Sequence, residues 1–99
     1  MSEQIDATRV AAAELGGPGK LDPQRCAARA MAMLQGVAGE AMRLASFSLE
    51  MGSVETSAGD ALAVYLATDK RTHAIAFLSL EARAGNDVAF TARAVFSVR

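Results

Sequence analysis

The chain has 99 residues, of which 52% are hydrophobic and 21% are charged, and its formal net charge is −1. Disordered chains contain fewer apolar residues, and a chain of this length buries about two-thirds of its unfolded surface in one core, so we expect one folded domain over residues 1–99. Because 10 Lys and Arg balance 11 Asp and Glu without forming a basic block, nucleic acid is excluded as the expected partner.

Residues 1–20 combine a polar start, an Ala-rich piece and a Gly-rich cluster. The start, MSEQIDATRV, lacks a basic segment followed by an apolar one and is not predicted to be a secretion signal. The piece TRVAAAEL leaves three possibilities open, which are a flexible segment, a short helix and a weak edge strand. We interpret GGPGK as a turn, because Leu21 stands where a phosphate loop carries Ser or Thr.

A long helix is predicted over residues 22–44. Asp22 is suited to accept hydrogen bonds from the first-turn amides, and Pro23 occupies the first helical position, where its missing N–H costs nothing. Apolar residues then repeat with a helical period as far as Leu44. Such a helix would be about 33 Å long. Its apolar sector is wider than packing on one flat layer requires, which predicts that a sheet wraps around it.

Cys26 is the only cysteine of the chain, so a disulfide framework is excluded. We interpret it as a small buried residue, and the alternative is a reactive thiol at a helix start. No run approaches the roughly 18 apolar residues needed to span a bilayer. These observations predict a soluble cytoplasmic protein without a membrane partner.

Four strands are predicted over residues 45–99, because the apolar period changes there to two. They are ASFSLEM, DALAVYLA, HAIAFLSLEA and DVAFTARAVFSV. Gly59 and Gly85 suit tight turns, and TDKRT is polar enough for a surface turn. Such short links favour an antiparallel meander in which consecutive strands pair, since parallel neighbours need crossovers of about a dozen residues or more. We expect the inward face of the meander to bury Phe47, Leu49, Leu62, Val64, Phe90 and Phe96 against the helix.

This order of elements resembles the second half of hotdog-fold proteins, the thioesterase and acyl dehydratase superfamily. The resemblance is carried above all by the stretch VETSAGDALAVYLATDKRTHAIAFLSLEARAGNDVAFTARAVFSV. The resemblance covers residues 45–99 and has Gly59-Asp60 as its named motif. It implies an α+β, hotdog-like fold in which a long-stranded antiparallel β-meander of about four strands wraps one central helix. Only TRVAAAEL is available as the N-terminal strand of that fold. Hotdog enzymes tend to carry a motif such as His-Gly-Gly or a His-Asn pair, and neither occurs in LGGPGKLDPQRCAARAM. The resemblance therefore leaves open whether this chain is a catalyst.

Thioester hydrolysis requires a carbonyl polarised by backbone amides, commonly at a helix N-terminus, and a carboxylate that acts as base or nucleophile. The resemblance implies two candidates for the carboxylate. Asp22 lies at the helix start, where one type of hotdog enzyme carries its acid, and Glu40 lies where another type carries it beside a Gly-rich helical turn. Both also have structural interpretations, Asp22 as an N-cap and Glu40 as a solvated charge near Arg43. Gln35 is a candidate hydrogen-bond donor one turn before Glu40.

The candidate ligand-binding residues are Gln35, Gly36, Gly39, Lys70 and Arg71. The two glycines alternatively serve only to let strands pack closely on the helix. The basic residues Lys70, Arg71, Arg83, Arg93 and Arg99 would meet the phosphates of coenzyme A at a dimer edge, or they are solvated charges at strand ends. His73 has no nearby Ser or second metal ligand in the sequence, so we expect neither a triad nor a metal site, and no cofactor.

Three functions are compatible with these residues. The first is a hotdog-like domain that binds an acyl thioester of coenzyme A or a carrier protein and hydrolyses it through Glu40 or Asp22. The second is a catalytically inactive hotdog-like assembly or binding module that self-associates through exposed strand edges. The third is an unrelated α+β binding domain. A homo-oligomer, either a dimer or a tetramer, is expected because an Ala-rich core without Trp contributes little buried area per residue.

Overall fold

The computed structural model describes residues 8–99. Its elements in chain order are β1 (Thr8–Ala11), a 3-10 helix (Ala12–Leu15), β2 (Gly19–Lys20), α1 (Pro23–Ala38), β3 (Met42–Met51), β4 (Glu55–Thr56), β5 (Ala61–Arg71), β6 (Ile75–Ala84) and β7 (Asp87–Val98). The segment TRVAAAEL therefore forms both a strand and a helical turn. The first seven residues of the predicted polar start lie outside the described residues.

The main sheet has five antiparallel strands in the order β1-β5-β6-β7-β3, and β2 and β4 form a separate two-stranded ribbon. The α+β architecture with one helix on an antiparallel sheet is as predicted. The expected number of four strands is too low, because β1 pairs with β5 along residues 8–11. The hotdog fold has an N-terminal strand before its helix, and TRVAAAEL was the one segment available for it. β1, which lies in this segment, supplies that strand.

The predicted pairing of consecutive strands is correct for β5, β6 and β7 and wrong for β3. This strand pairs with β7, at the far side of the sheet from β5. The link over residues 52–60 is long enough for β3 and β5 to lie apart. Extended at about 3.3 Å per residue, this link reaches further than the roughly 14 Å that three strand spacings require. Two contacts fix its path: the Gly52 amide donates to the Ala89 carbonyl oxygen at 2.8 Å, and β4 pairs with β2.

The helix is shorter than predicted, because it ends at Ala38 and not at Leu44. Gly39 has a φ of +94°, which ends the helix in a conformation that other residues rarely adopt. The chain then turns, and Met42 begins to pair with β7. The 16 residues of α1 give a length of about 24 Å instead of 33 Å.

The core lies between α1 and the inner face of the main sheet, with the 3-10 helix at one side. The helix buries a stripe of residues spaced by four, which are Cys26, Ala30, Leu34 and Ala38. The sheet buries Leu62, Val64, Leu78, Leu80, Phe90 and Phe96. Of the predicted inward residues, Phe47 and Leu49 are only half-buried, because β3 is an edge strand of the sheet. No helix within residues 8–99 is both long and apolar enough to cross a membrane.

Candidate functional site

The two candidate carboxylates lie at opposite ends of α1. Asp22 is the residue before the first turn, and Glu40 is the second residue after the last turn. A helix of about 24 Å separates them, so they do not share a site within one chain. The predicted ligand-binding residues Gln35, Gly36 and Gly39 lie at the Glu40 end.

At the N-terminal end, the Asp22 side chain caps the helix. Its Oδ1 accepts a hydrogen bond from the Gln24 amide at 3.2 Å, and its Oδ2 lies 3.8 Å from Nε of Arg25. The Asp22 side chain is 43% exposed, so water and solutes reach the carboxylate. The N-cap interpretation of this residue is confirmed.

The cap and the sequence together leave one first-turn amide available. Pro23 has no N–H, the Gln24 amide donates to Asp22, and the Cys26 amide donates to the Asp22 carbonyl oxygen at 3.0 Å. The amide of Arg25 has no hydrogen-bond partner within residues 8–99. An acceptor such as a carbonyl oxygen can therefore bind next to the Asp22 carboxylate, where the helix dipole is positive.

The Gly-rich turn before the helix holds Asp22 in place. The Asp22 amide donates to the Leu15 carbonyl oxygen at 2.8 Å. Gly16 has a φ of +100°, and a Cβ at this position would lie 2.9 Å from both the Cβ and the N of Asp22. At Gly17 a Cβ would lie 2.6 Å from Oγ1 of Thr56. GGPGK was predicted to form a turn, and the close approach of this turn to Asp22 and Thr56 requires glycine at positions 16 and 17.

Cys26 faces the core one turn into α1 and is fully buried. Burial, with a smaller contribution from the negative charge of Asp22, raises the pKa of this thiol to about 11. The thiol therefore stays protonated at neutral pH and is a poor nucleophile. Its interpretation as a small buried residue agrees with this environment.

At the C-terminal end, side chains satisfy the backbone carbonyls that the helix leaves open. The guanidinium of Arg71 donates to the carbonyl oxygens of Val37 at 3.1 Å and of Ala38 at 2.6 Å. Arg99 Nε donates to the carbonyl oxygen of Glu40 at 2.9 Å. Two cations thus face the negative end of the helix dipole, which is the favourable arrangement.

A shallow depression lies beside this end and is lined by Ala32, Gln35, Gly36, Gly39, Glu40 and Arg99. A Cβ at Gly36 or Gly39 would meet no atom within 4 Å. Close packing of strands, the structural interpretation of both glycines, is therefore wrong: Gly39 is required by its positive φ, and Gly36 borders open space. The Glu40 side chain is exposed and forms no hydrogen bond or ion pair within residues 8–99.

The five basic residues that were predicted to meet the phosphates of coenzyme A at a dimer edge do not converge within one chain. Arg71 pairs with buried Ala76 and so faces the helix, whereas Lys70 pairs with Phe77 and points to the other side of the sheet. The remaining three are Arg83, which forms an ion pair with Glu81, Arg93 on β7 and Arg99 beside Glu40. His73 is exposed in the turn after β5, and no metal-binding group of three His, Cys, Asp or Glu occurs within residues 8–99.

Neither a protein-family model nor a curated protein matches the sequence. Solved structures do match. Thioesterase superfamily member 2 from Mus musculus aligns over 98% of this chain and 81% of its own, with a TM-score of 0.74 and 11% identity. A predicted thioesterase from Bacillus stearothermophilus aligns over 94% of this chain and 78% of its own, with a TM-score of 0.73 and 12% identity. The chain has the hotdog fold.

The hotdog resemblance predicted for residues 45–99 is therefore confirmed, and it extends to β1 and α1. The ChsH1-ChsH2 complex from Mycobacterium tuberculosis gives a further match, with a TM-score of 0.69 and 16% identity. It covers 81% of this chain, which spans 62% of the length of the matched chain. At these identities the matches establish the fold.

Proposed function

We propose that this hotdog chain binds an acyl thioester of coenzyme A or of a carrier protein and hydrolyses it at the N-terminal end of α1. The observation that carries the proposal is the half-exposed carboxylate of Asp22 next to the unpaired amide of Arg25. Two of the similar structures are named thioesterases, which supports thioesters as the substrate class.

In the proposed reaction, the thioester carbonyl oxygen accepts a hydrogen bond from the Arg25 amide. The positive end of the helix dipole then stabilises the negative charge that develops on this oxygen. Asp22 takes a proton from water as the water oxygen attacks the acyl carbon. The carbon–sulfur bond breaks, and the proton passes to the departing thiolate. The products are a carboxylic acid and a thiol, and no cofactor is required.

Glu40 is the second candidate for the carboxylate. Its surroundings suit this chemistry less well, because the backbone groups nearby are carbonyls at the negative end of the helix dipole. An oxyanion formed there would face Arg99 but would also face those carbonyls. We therefore assign catalysis to Asp22 and retain Glu40→Gln as the comparison variant.

The proposed ligand-binding residues differ in the role that we assign to them. They are Gln35, Gly36, Gly39, Lys70 and Arg71. Gly36 borders open space beside the last turn of α1, which supports direct contact with a ligand there. Lys70 is exposed on the other side of the sheet, so its proposed contact with a ligand is separate from that of Gly36. Gln35 and Arg71 use their donors on carbonyl oxygens at the helix end, so their proposed part is to shape this surface.

A homodimer and a cytoplasmic location belong to the same proposal. One edge of β3 is unpaired within residues 8–99, and the half-buried side chains of Phe47, Leu49 and Met51 lie along this strand. An unpaired edge flanked by apolar side chains favours pairing with a second copy. The single thiol of Cys26 is compatible with a reducing compartment.

A second function, that of a catalytically inactive assembly or binding module, is favoured by one observation. Only one first-turn amide is unpaired, whereas an oxyanion site commonly uses two or more donors. In this case the chain binds a partner or ligand at the same surfaces and turns over no thioester.

Hydrolysis of a panel of acyl-CoA thioesters of different chain length tests the choice. We expect wild type to release free thiol and Asp22→Asn to lose about 100-fold or more in kcat/KM, while Glu40→Gln keeps its activity. The Asn variant is informative because Asn caps a helix as well as Asp does. If wild type binds the thioesters in calorimetry without turning any over, the module is supported. Absence of both turnover and binding overturns the thioester proposal.

A further inference from the structure

The two-stranded ribbon of β2 and β4 includes the end of the Gly-rich turn before α1, and Thr56 is its buried residue. In this ribbon Gly19 lies opposite Thr56, and Lys20 lies opposite Glu55. Among residues 8–99, Thr56 is the one polar or charged residue that is buried. Because a buried hydroxyl is unfavourable unless it forms a hydrogen bond, the partners of this hydroxyl indicate its role.

The side chain of Thr56 holds the Gly-rich turn by one hydrogen bond and one close contact. Its Oγ1 donates to the carbonyl oxygen of Gly19 at 3.1 Å. At Gly17 a Cβ would lie 2.6 Å from the same Oγ1, so the backbone of the turn packs directly against the hydroxyl. The hydroxyl thus contacts the turn at two positions, 17 and 19.

The link over residues 52–60, which contains Thr56, is attached at both of its ends. At its start, the Gly52 amide donates to the carbonyl oxygen of Ala89 on β7 at 2.8 Å. At its end, the carbonyl oxygen of Asp60 accepts from the amide of Ala12 at 2.9 Å. Thr56 therefore holds the turn from a segment that is bonded both to the main sheet and to the 3-10 helix.

The turn is in direct contact with Asp22. Gly16 lies so close to Asp22 that a Cβ at position 16 would be 2.9 Å from the Cβ and from the N of Asp22. The Asp22 amide also donates to the Leu15 carbonyl oxygen at 2.8 Å. A displacement of Gly17 or Gly19 would therefore move backbone that packs against Asp22.

We propose that Thr56 is a positioning residue for the reaction at Asp22. Its hydroxyl holds the turn over residues 16–21 in place, so that the carboxylate stays beside the Arg25 amide, and it acts through this turn and not on the substrate. The inference rests on the proposed function, because Asp22 is the proposed base. Displacing a reacting group by about 1 Å can lower a rate about 100-fold, so a contact that fixes the turn affects catalysis.

Replacing the hydroxyl by a methyl group tests the proposal. Thr56→Val keeps the size of the side chain and removes the hydrogen bond to Gly19. We expect kcat for acyl-CoA hydrolysis to fall about 10- to 100-fold while KM stays within about 3-fold of wild type, because the base moves and the binding surface does not. Thr56→Ser keeps the hydroxyl and should retain kcat within about 3-fold. If Thr56→Val does not fold, Thr56→Ala removes the hydroxyl without placing a methyl group beside Gly17.

Two further variants separate positioning from a general loss of structure. Because Thr56 acts through Asp22, Thr56→Val should lower the residual rate of Asp22→Asn no further. Thr72→Val is the matched control. The Thr72 hydroxyl also holds a turn, since it accepts from the amides of Ala74 at 3.2 Å and Ile75 at 3.1 Å, but this turn lies at the other end of β5. Thr72→Val should keep the kcat of wild type.

The NMR signal of the Gln24 amide tests the same contact without turnover. This amide donates to Oδ1 of Asp22 at 3.2 Å, so in Thr56→Val its resonance should move towards its position in Asp22→Ala. A wild type that hydrolyses no thioester overturns the proposed function, and the Gln24 signal then decides the role of Thr56.

Four results would each overturn the inference. They are an unchanged kcat in Thr56→Val, an equal loss of kcat in Thr72→Val, a further loss when Thr56→Val is added to Asp22→Asn, and an unmoved Gln24 signal.

Discussion

The side-chain amide of Gln35 donates a hydrogen bond to the carbonyl oxygen of Met42 at 2.9 Å, and it also donates to that of Gly39 at 3.0 Å. One side chain thus joins the last turn of α1 to the first residue of β3. We expect Gln35→Ala to lower the free energy of unfolding by about 1–3 kcal/mol, because the Met42 carbonyl loses its side-chain donor and the Gly39 carbonyl keeps only the Met42 amide. Urea unfolding measures the change.

Gln24→Ala is the control for that substitution, since Gln24 is an exposed helical residue whose side chain forms no hydrogen bond within residues 8–99. Its effect should stay within about 0.5 kcal/mol. Equal stability of the Gln35 and Gln24 variants would show that the bonds at the helix end contribute nothing.

The two glycines at the end of α1 should respond to alanine in opposite directions. Gly36 lies in the helix with open space around its Cα, so Gly36→Ala should stabilise the protein by about 0.5–1 kcal/mol. Gly39 has a φ of +94°, so Gly39→Ala should destabilise it by about 1 kcal/mol or more. Thermal unfolding of both variants measures these changes in stability. If Gly36→Ala is more stable than wild type but binds thioester more weakly, contact of a ligand with this position is supported.

Capping and catalysis by Asp22 can be separated by two substitutions. Asp22→Ala should lower the free energy of unfolding by about 0.5–2 kcal/mol, because the Gln24 amide loses its acceptor. Asp22→Asn should keep most of this stability. If both variants unfold at the same denaturant concentration as wild type, the cap is unimportant for stability.

The buried thiol predicts a dependence of stability on alkaline pH. The pKa of Cys26 rises from 9.0 to about 11 on folding, so the unfolded chain loses this proton at lower pH than the folded chain. The contribution of the thiol is therefore complete below pH 9 and is lost as the pH rises towards 11. The stability difference between wild type and Cys26→Ala should shrink over this interval, as measured by denaturant unfolding. A constant difference would contradict the shift.

A charge at the edge of β3 tests self-association through that strand. Leu44 is 37% exposed there, so Leu44→Lys should be tolerated by the fold while it prevents a second copy from pairing along the edge. We expect a smaller particle in sedimentation velocity, and a melting temperature that is lower than that of wild type and no longer rises with protein concentration. Lys in place of Ala13, an exposed residue outside the main sheet, is the control and should leave the particle size unchanged.

The sequence predicted the parts of the fold that depend on local pattern. Alternation in β5 and β7 identified the buried face, including Leu62, Val64 and Phe96, because strand geometry places every second side chain on one side. The pairing of β3 with β7 could not be predicted in this way. It joins residues 39 to 56 positions apart, and helix formers continue through Arg43 although Gly39 ends the helix.

The candidate site was predictable only in part. Asp-Pro marks a helix start, and Asp22 is the N-cap that this pair predicts. The single unpaired amide of Arg25 depends on which neighbouring amides the cap and the backbone use, and the contact of Gly17 with Thr56 joins segments 39 positions apart in the sequence. Such features depend on tertiary packing, which residue patterns do not encode locally.

The pairing of β3 with β7 also determines the order in which the protein can assemble during synthesis. β3 leaves the ribosome well before β7, and until then Phe47 and Leu49 have no sheet on which to pack. Folding of the core therefore waits for translation of β7, and the nascent chain carries an uncovered apolar strand that chaperones or other nascent chains can bind.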